Sequence, residues 1–178
     1  MRHILLIALL ALCMPMRAQK KFVDRSTDVL CVTPTLTALA VSFVERDKKG
    51  MAELGLSTAA TLVANYALES AVTKRRPDGS GNHSFPSTHT AVAFDGATFL
   101  MKRYGWKWGV PAYVVSTYVA WGRVYADKHD AWDVLGGAAI GTAAALVFTH
   151  SRKSGLSLTI SPCVMGNSGK GLTASLIF

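Results

Sequence analysis

The sequence predicts an all-α fold: a helical bundle of five or six helices embedded in a membrane, with a short C-terminal hairpin-like tail. Three observations carry this. Half of the 178 residues are hydrophobic while only 17% are charged, well under the roughly 25% of an ordinary soluble domain. Five apolar segments of 12 to 18 residues recur along the chain, rich in Ala, Leu, Val and Thr and not flanked like strands. The Lys and Arg residues gather in the connections between them. The length suits one domain able to bury a core. The positive mean hydropathy of +0.27 excludes a disordered charged tail.

Residues 1–18 open with Arg2, continue as an apolar run over residues 4–12, and reach Ala18 before a polar stretch. This pattern reads as a secretory signal peptide, or alternatively as a first membrane helix. The apolar run is shorter than the ~20 residues that a span requires. Cys13 follows Leu12, which is too large to precede a lipidated cysteine. Only Cys31 and Cys163 then remain, so no disulfide framework is implied.

Residues 19–150 carry the helical domain. Uncharged segments cover residues 29–44, 54–68, 108–122 and 134–151, and a fifth, 90–101, is apolar except for Asp95. Gly137 and Gly141 make a small-xxx-small pair that permits close helix approach. Turns 45–50 and 102–107 each hold three Lys or Arg residues, which the positive-inside tendency places on the cytoplasmic side. Loops 69–88 and 123–130 then lie together on the outer face. The tail, residues 151–178, alternates over 156–160 and 172–178 around a Gly/Asn/Ser turn, as a hairpin does.

The outer loops hold three clusters suited to phosphate chemistry. In Lys74-Arg75-Arg76-Pro77-Asp78-Gly79-Ser80-Gly81, Pro77 fixes the backbone after Arg76 and the following residues form a turn. A guanidinium held this way can grip phosphate oxygens as a fork. Ser84-Phe85-Pro86-Ser87-Thr88-His89 precedes an apolar helix, and helix N-termini bind anions. His89, in the first turn, is placed to protonate a leaving group. In the third cluster Arg123 precedes His129 and Asp133, which are i and i+4 and share one face if helical. Asp133 can then accept a hydrogen bond from one ring nitrogen and leave the other as a nucleophile. A metal site would need more ligands than these residues supply, and no HExxH or Cys/His set provides them.

Together the clusters resemble the signature of the type-2 phosphatidic acid phosphatase superfamily, which includes bacterial acid phosphatases and vanadium-dependent haloperoxidases. Arg76-Pro77, Pro86-Ser87-x-His89 and Arg123-x5-His129-x3-Asp133 match its motifs in order and spacing. The resemblance covers roughly residues 54–149. It implies a helical bundle with the site at the outer helix ends, a phosphohistidine formed on His129, orientation by Asp133 and proton donation by His89. Arg76, Ser87, Thr88 and Arg123 would hold the phosphate. No metal or other cofactor is implied.

Three positions depart from the family pattern. Glu69 stands where the family has a lysine, Thr88 replaces a glycine, and Gly122 replaces a serine. Lys74 or Arg75 is the expected substitute phosphate ligand, from a different backbone position. The function expected is hydrolysis of lipid phosphate or diphosphate monoesters by an inner-membrane enzyme facing the periplasm. A soluble periplasmic acid phosphatase and a catalytically impaired lipid-phosphate-binding protein are the alternatives. Loss of Arg2 and Arg17 with a signal would reduce the formal charge from +8 to +6. Six of the remaining cations lie in the two cytoplasmic turns. Five more (Lys74, Arg75, Arg76, Arg123, Lys128) lie in the loops facing an anionic substrate. The expected partners are therefore a membrane and its phosphorylated lipids, and nucleic acid is not needed to explain the basic charge.

Overall fold

A computed structural model describes residues 16–152, 157–165 and 169–177. Most of the expected signal segment, residues 1–15, lies outside the described residues. Six helices follow in order: α1 (Met16–Leu30), α2 (Thr33–Val44), α3 (Lys48–Ala71), α4 (Thr88–Tyr104), α5 (Trp106–Tyr125) and α6 (Ala131–Phe148). An antiparallel pair, β1 (Ser157–Met165) and β2 (Gly169–Ile177), ends the chain, with Ser157 opposite Ile177 and Met165 opposite Gly169. The helices outrun the apolar segments because polar caps extend them. Asp47 accepts from the Gly50 amide to start α3, and Asp130 with Asp133 forms a capping box at α6.

Helix α4 is the central one, packed against all five others. Small residues allow this. A Cβ on Gly141 would collide with the Ala91 carbonyl oxygen, and one on Gly137 with that of Ser87. The expected Gly137/Gly141 pair is thus the seam between α6 and α4. Gly96 admits the α2 backbone in the same way, since a side chain there would run into the Thr35 amide nitrogen.

The interior of the bundle holds many polar side chains, and its exterior many large apolar ones. Ser42, Ser57 and Ser116 are fully buried and donate to helix carbonyls at 2.8 to 3.1 Å. Asp95, the one charge-bearing residue in its apolar segment, is buried and accepts from the Thr58 hydroxyl at 2.7 Å. Conversely Phe43, Val63, Val114, Leu135 and Val147 are exposed. The run Met16–Val44 and helix α6 are each long and apolar enough to cross a membrane. Trp106 and Trp108 lie exposed at one end of the bundle and Trp132 at the other, as in interfacial aromatic belts.

The two ends differ in chemistry. At one, Arg103 is clamped by Asp47 (2.6 and 2.7 Å) and Glu53 (2.6 Å), and Tyr104 donates to Asp47. This joins turns 45–50 and 102–107 at one face, as expected. It also corrects the expected charge distribution, because Arg103 is buried in ion pairs instead of free to set orientation. The opposite end carries loop 72–87 and loop 126–130. These are tied by Lys128 to Asp78 at 2.8 Å and by the Asp78 amide to the Asp127 carbonyl at 3.0 Å.

Candidate active site

Residues 72–87 fold back on themselves as the Pro and Gly content requires. The Arg76 amide donates to Gly81, Gly79 donates to Arg76, and Gly79 adopts φ +74°. The returning strand pairs Lys74 with His83 and carries Ser84 beneath loop 126–130. His129 is buried there, and its Nδ1–H donates to the Ser84 carbonyl at 2.8 Å. A carbonyl only accepts, so the proton sits on Nδ1 and Nε2 keeps its lone pair. Burial first, then the nearby Arg123 and Arg76, hold the imidazole well below its usual titration range. The Ser84 bond and the Asp133 charge oppose this less strongly.

Asp133 does not play the expected part. Its Oδ2 lies 3.7 Å from His129 Nδ1, beyond hydrogen-bond distance. Ser84 supplies the carbonyl instead, and its hydroxyl donates to Asp133. Asp133 is fully buried, takes the Asp130 amide at 3.0 Å and the Lys74 ammonium at 2.7 Å. Its own carbonyl accepts the Ser87 amide at 2.9 Å. It is the hub that fastens three segments around His129.

Lys74 is also reassigned. Its ammonium bridges Asp130 at 2.6 Å and Asp133 at 2.7 Å, so it neutralises carboxylates behind the histidine and does not substitute for the missing family lysine. Burial opposes the charge, but the two carboxylates outweigh it and raise Lys74 above its usual range. Of the five outer cations, Lys128 is paired with Asp78 and Arg123 with Asp24 and Asp28. Among the described residues, no carboxylate pairs with Arg75 or Arg76. The Arg76 Nε donates to the His83 carbonyl at 3.4 Å, which leaves the rest of its fork open.

The departures at positions 88 and 122 have structural counterparts. The Thr88 hydroxyl accepts from Asn65 of α3 at 2.7 Å, so its side chain is turned toward α3. The expected phosphate contact at Thr88, through the backbone amides near Ser87 to His89, does not involve this side chain. Ser87 sits at the N-cap of α4 without capping it; its hydroxyl accepts from Thr90 at 3.1 Å. Gly122 admits α1, since a Cβ there would meet Thr27 Cγ2 at 2.5 Å and Val23 Cγ1 at 3.0 Å. Among the described residues no side chain pairs with the Glu69 carboxylate; its backbone carbonyl instead faces the His83 ring at 3.0 Å.

Helix α1 brings in two residues that the motif reading missed. Asp24 and Asp28 each accept from Arg123 Nη1 at 2.9 Å, and Asp28 Oδ1 lies 3.1 Å from His89 Nε2. The signal was present in the sequence: Asp24/Asp28 and Val23/Thr27 are both i, i+4 pairs, giving one acidic and one packing stripe. Ser84 and Asn65 were likewise unassigned. Among the described residues, no group of three His, Cys, Asp or Glu side chains is arranged to hold a metal ion.

Comparison with known proteins agrees with this architecture. The PAP2 superfamily model matches residues 50–155. The chain is 31% identical over 137 residues to a lipid A 4'-phosphatase of Helicobacter pylori strain J99, covering 71% of the chain and 69% of that protein. The crystal structure of Aquifex aeolicus LpxE superposes with TM-score 0.63 at 22% identity, over 81% of the chain and 92% of that structure. A transmembrane PAP2-type phosphatidylglycerolphosphate phosphatase from Bacillus subtilis gives TM-score 0.58 at 22% identity, over 78% of each. The chain belongs to the PAP2 superfamily and is an enzyme of its phosphoric monoester hydrolase type.

Proposed function

We propose that this chain hydrolyses lipid phosphate monoesters through a phosphohistidine on His129, at the periplasmic face of a bacterial inner membrane. The observation that carries the reading is the Nδ1–H bond from His129 to the Ser84 carbonyl, which leaves Nε2 unprotonated and nucleophilic. In the first step Nε2 attacks phosphorus as the ester P–O bond breaks, and His89 protonates the departing oxygen. In the second, water attacks phosphorus, the P–N bond breaks, and inorganic phosphate leaves. Arg76, Arg123 and the Ser87 region at the start of α4 stabilise the charge on the transferring phosphoryl group. Asp133 holds the loops in place through Lys74, Ser84 and the Asp130 amide.

The exposed apolar belt and the two long apolar runs support membrane embedding and hence a lipid substrate. The curated relative named above acts on lipid A by its name, so phosphorylated lipid A heads the substrate panel, followed by phosphatidate and phosphatidylglycerophosphate. The test is phosphate release from that panel by the detergent-solubilised protein. His129→Ala is expected to abolish release, and wild-type-level release from that variant would reject the mechanism.

A further inference from the structure

Helix α1 precedes the stretch matched by the family model, yet it reaches the groups that the phosphatase reading needs most. One oxygen, Asp28 Oδ1, touches both Arg123 Nη1 at 2.9 Å and His89 Nε2 at 3.1 Å. Among the described residues, the Asp24 carboxylate pairs with Arg123 and not with His89. The helix is held there by Gly122, whose missing side chain admits Thr27, by Ser26 with the Tyr118 hydroxyl at 3.0 Å, and by Lys20 paired with Asp127. This is a fixed docking, with Thr27 fully buried under it.

We propose that Asp28 is a positioning residue for the proton-donating step, acting through His89. This rests on the phosphohistidine reading above. A carboxylate oxygen only accepts, so His89 keeps a proton on Nε2 and presents Nδ1 to the substrate. In the imidazolium both nitrogens are protonated. The Nδ1 proton moves to the leaving alkoxide as the P–O bond breaks, and the ring becomes neutral with its proton retained on Nε2. The Nδ1 lone pair then takes a proton from the attacking water. Burial disfavours the charged ring of His89 first, and Arg123 from α5 opposes it next; among the described residues Asp28 and Asp24 from α1 counter both by favouring it. Asp28 thereby offsets the repulsion that Arg123 imposes on the imidazolium.

The experiment compares two substrates on one preparation, so the result does not depend on the folded fraction. An alkyl phosphate such as dodecyl phosphate has a poor leaving group and needs the acid; p-nitrophenyl phosphate has a good one and needs it little. D28N is expected to slow dodecyl phosphate hydrolysis at least tenfold more than p-nitrophenyl phosphate hydrolysis. It should also move the alkaline limb of kcat/KM to lower pH, and D28E should partly restore both. D24N, whose carboxylate pairs with Arg123 and not with His89, is expected to lower both substrates alike and to move the limb less than D28N does. Equal loss on both substrates in D28N, an unmoved limb, or a gain on both would overturn the inference. A gain would mean that the carboxylate competes with phosphate for Arg123. Wild-type release that survives His129→Ala would instead overturn the phosphohistidine reading, and this inference with it.

Discussion

At His129 the environment selects both the tautomer and the charge. The Ser84 carbonyl fixes the proton on Nδ1, and burial beside Arg76 and Arg123 disfavours a second one. The imidazole, the proposed nucleophile, therefore stays neutral well below the usual histidine value of about 6.5. The acid limb of kcat/KM is expected below that value, and a limb at or above 6.5 on the acid side would contradict the assignment. Stability follows with a definite sign. Between the lowered folded value and 6.5, the unfolded chain binds a proton that the folded chain does not, so stability falls as pH falls through that window. Replacing His129 with Gln should flatten the decline of melting temperature on acidification, measured in detergent from pH 6.5 downward. The motif spacing and the family resemblance single out His89, Arg123, His129 and Asp133 as candidate site residues. Which partner each one takes was not legible in the sequence, because Ser84 contributes through its backbone and Lys74 through a carboxylate clamp. Neither choice leaves a mark on a motif.

Among the elements, the α4–α6 seam connects packing to chemistry. Gly137 lies against the Ser87 carbonyl, and the Ser87 amide is bound to Asp133 on α6. Gly137→Ala must push the start of α4 away, at a cost of about 1–3 kcal/mol for overpacking, with phosphate release falling in parallel. Gly55→Ala on α3 meets nothing within 4 Å and serves as the control, with unchanged or slightly raised melting temperature. At the opposite end, Arg103→Leu would leave the Asp47 and Glu53 carboxylates without their cation. Breaking a buried pair from one side costs about 3–5 kcal/mol, so thermal unfolding should shift strongly while the residual folded enzyme keeps its KM. The apolar segments located α2 through α6, since periodic composition is a strong signal. Helix α1 escaped because residues 19–28 are polar and charged; its pattern acquires meaning only once α5 offers Gly122 and Arg123 to receive it.

On the scale of the whole molecule, the bundle turns polar hydroxyls and Asp95 inward and large apolar side chains outward. That distribution suits a solvent that offers no hydrogen bonds. Alkaline carbonate washing of membranes should therefore leave the protein in the pellet, and release without detergent would favour a soluble periplasmic form. The general basic charge of the sequence resolves into local accounts. Arg103, Lys74, Lys128 and Arg123 are paired with carboxylates of this chain, while among the described residues of the outer loops Arg75 and Arg76 have no carboxylate partner.

The docking of α1 on α5 also orders the events of biosynthesis. Arg123 meets Asp28 across 95 positions of chain and Asp24 across 99. During synthesis, α1 leaves the ribosome long before its receiving helix exists, and the charged stripe of α1 waits without its arginine. His129, the proposed nucleophile, comes later still, six residues beyond Arg123. The first helix thus finds its receiving arginine only once α5 has been made.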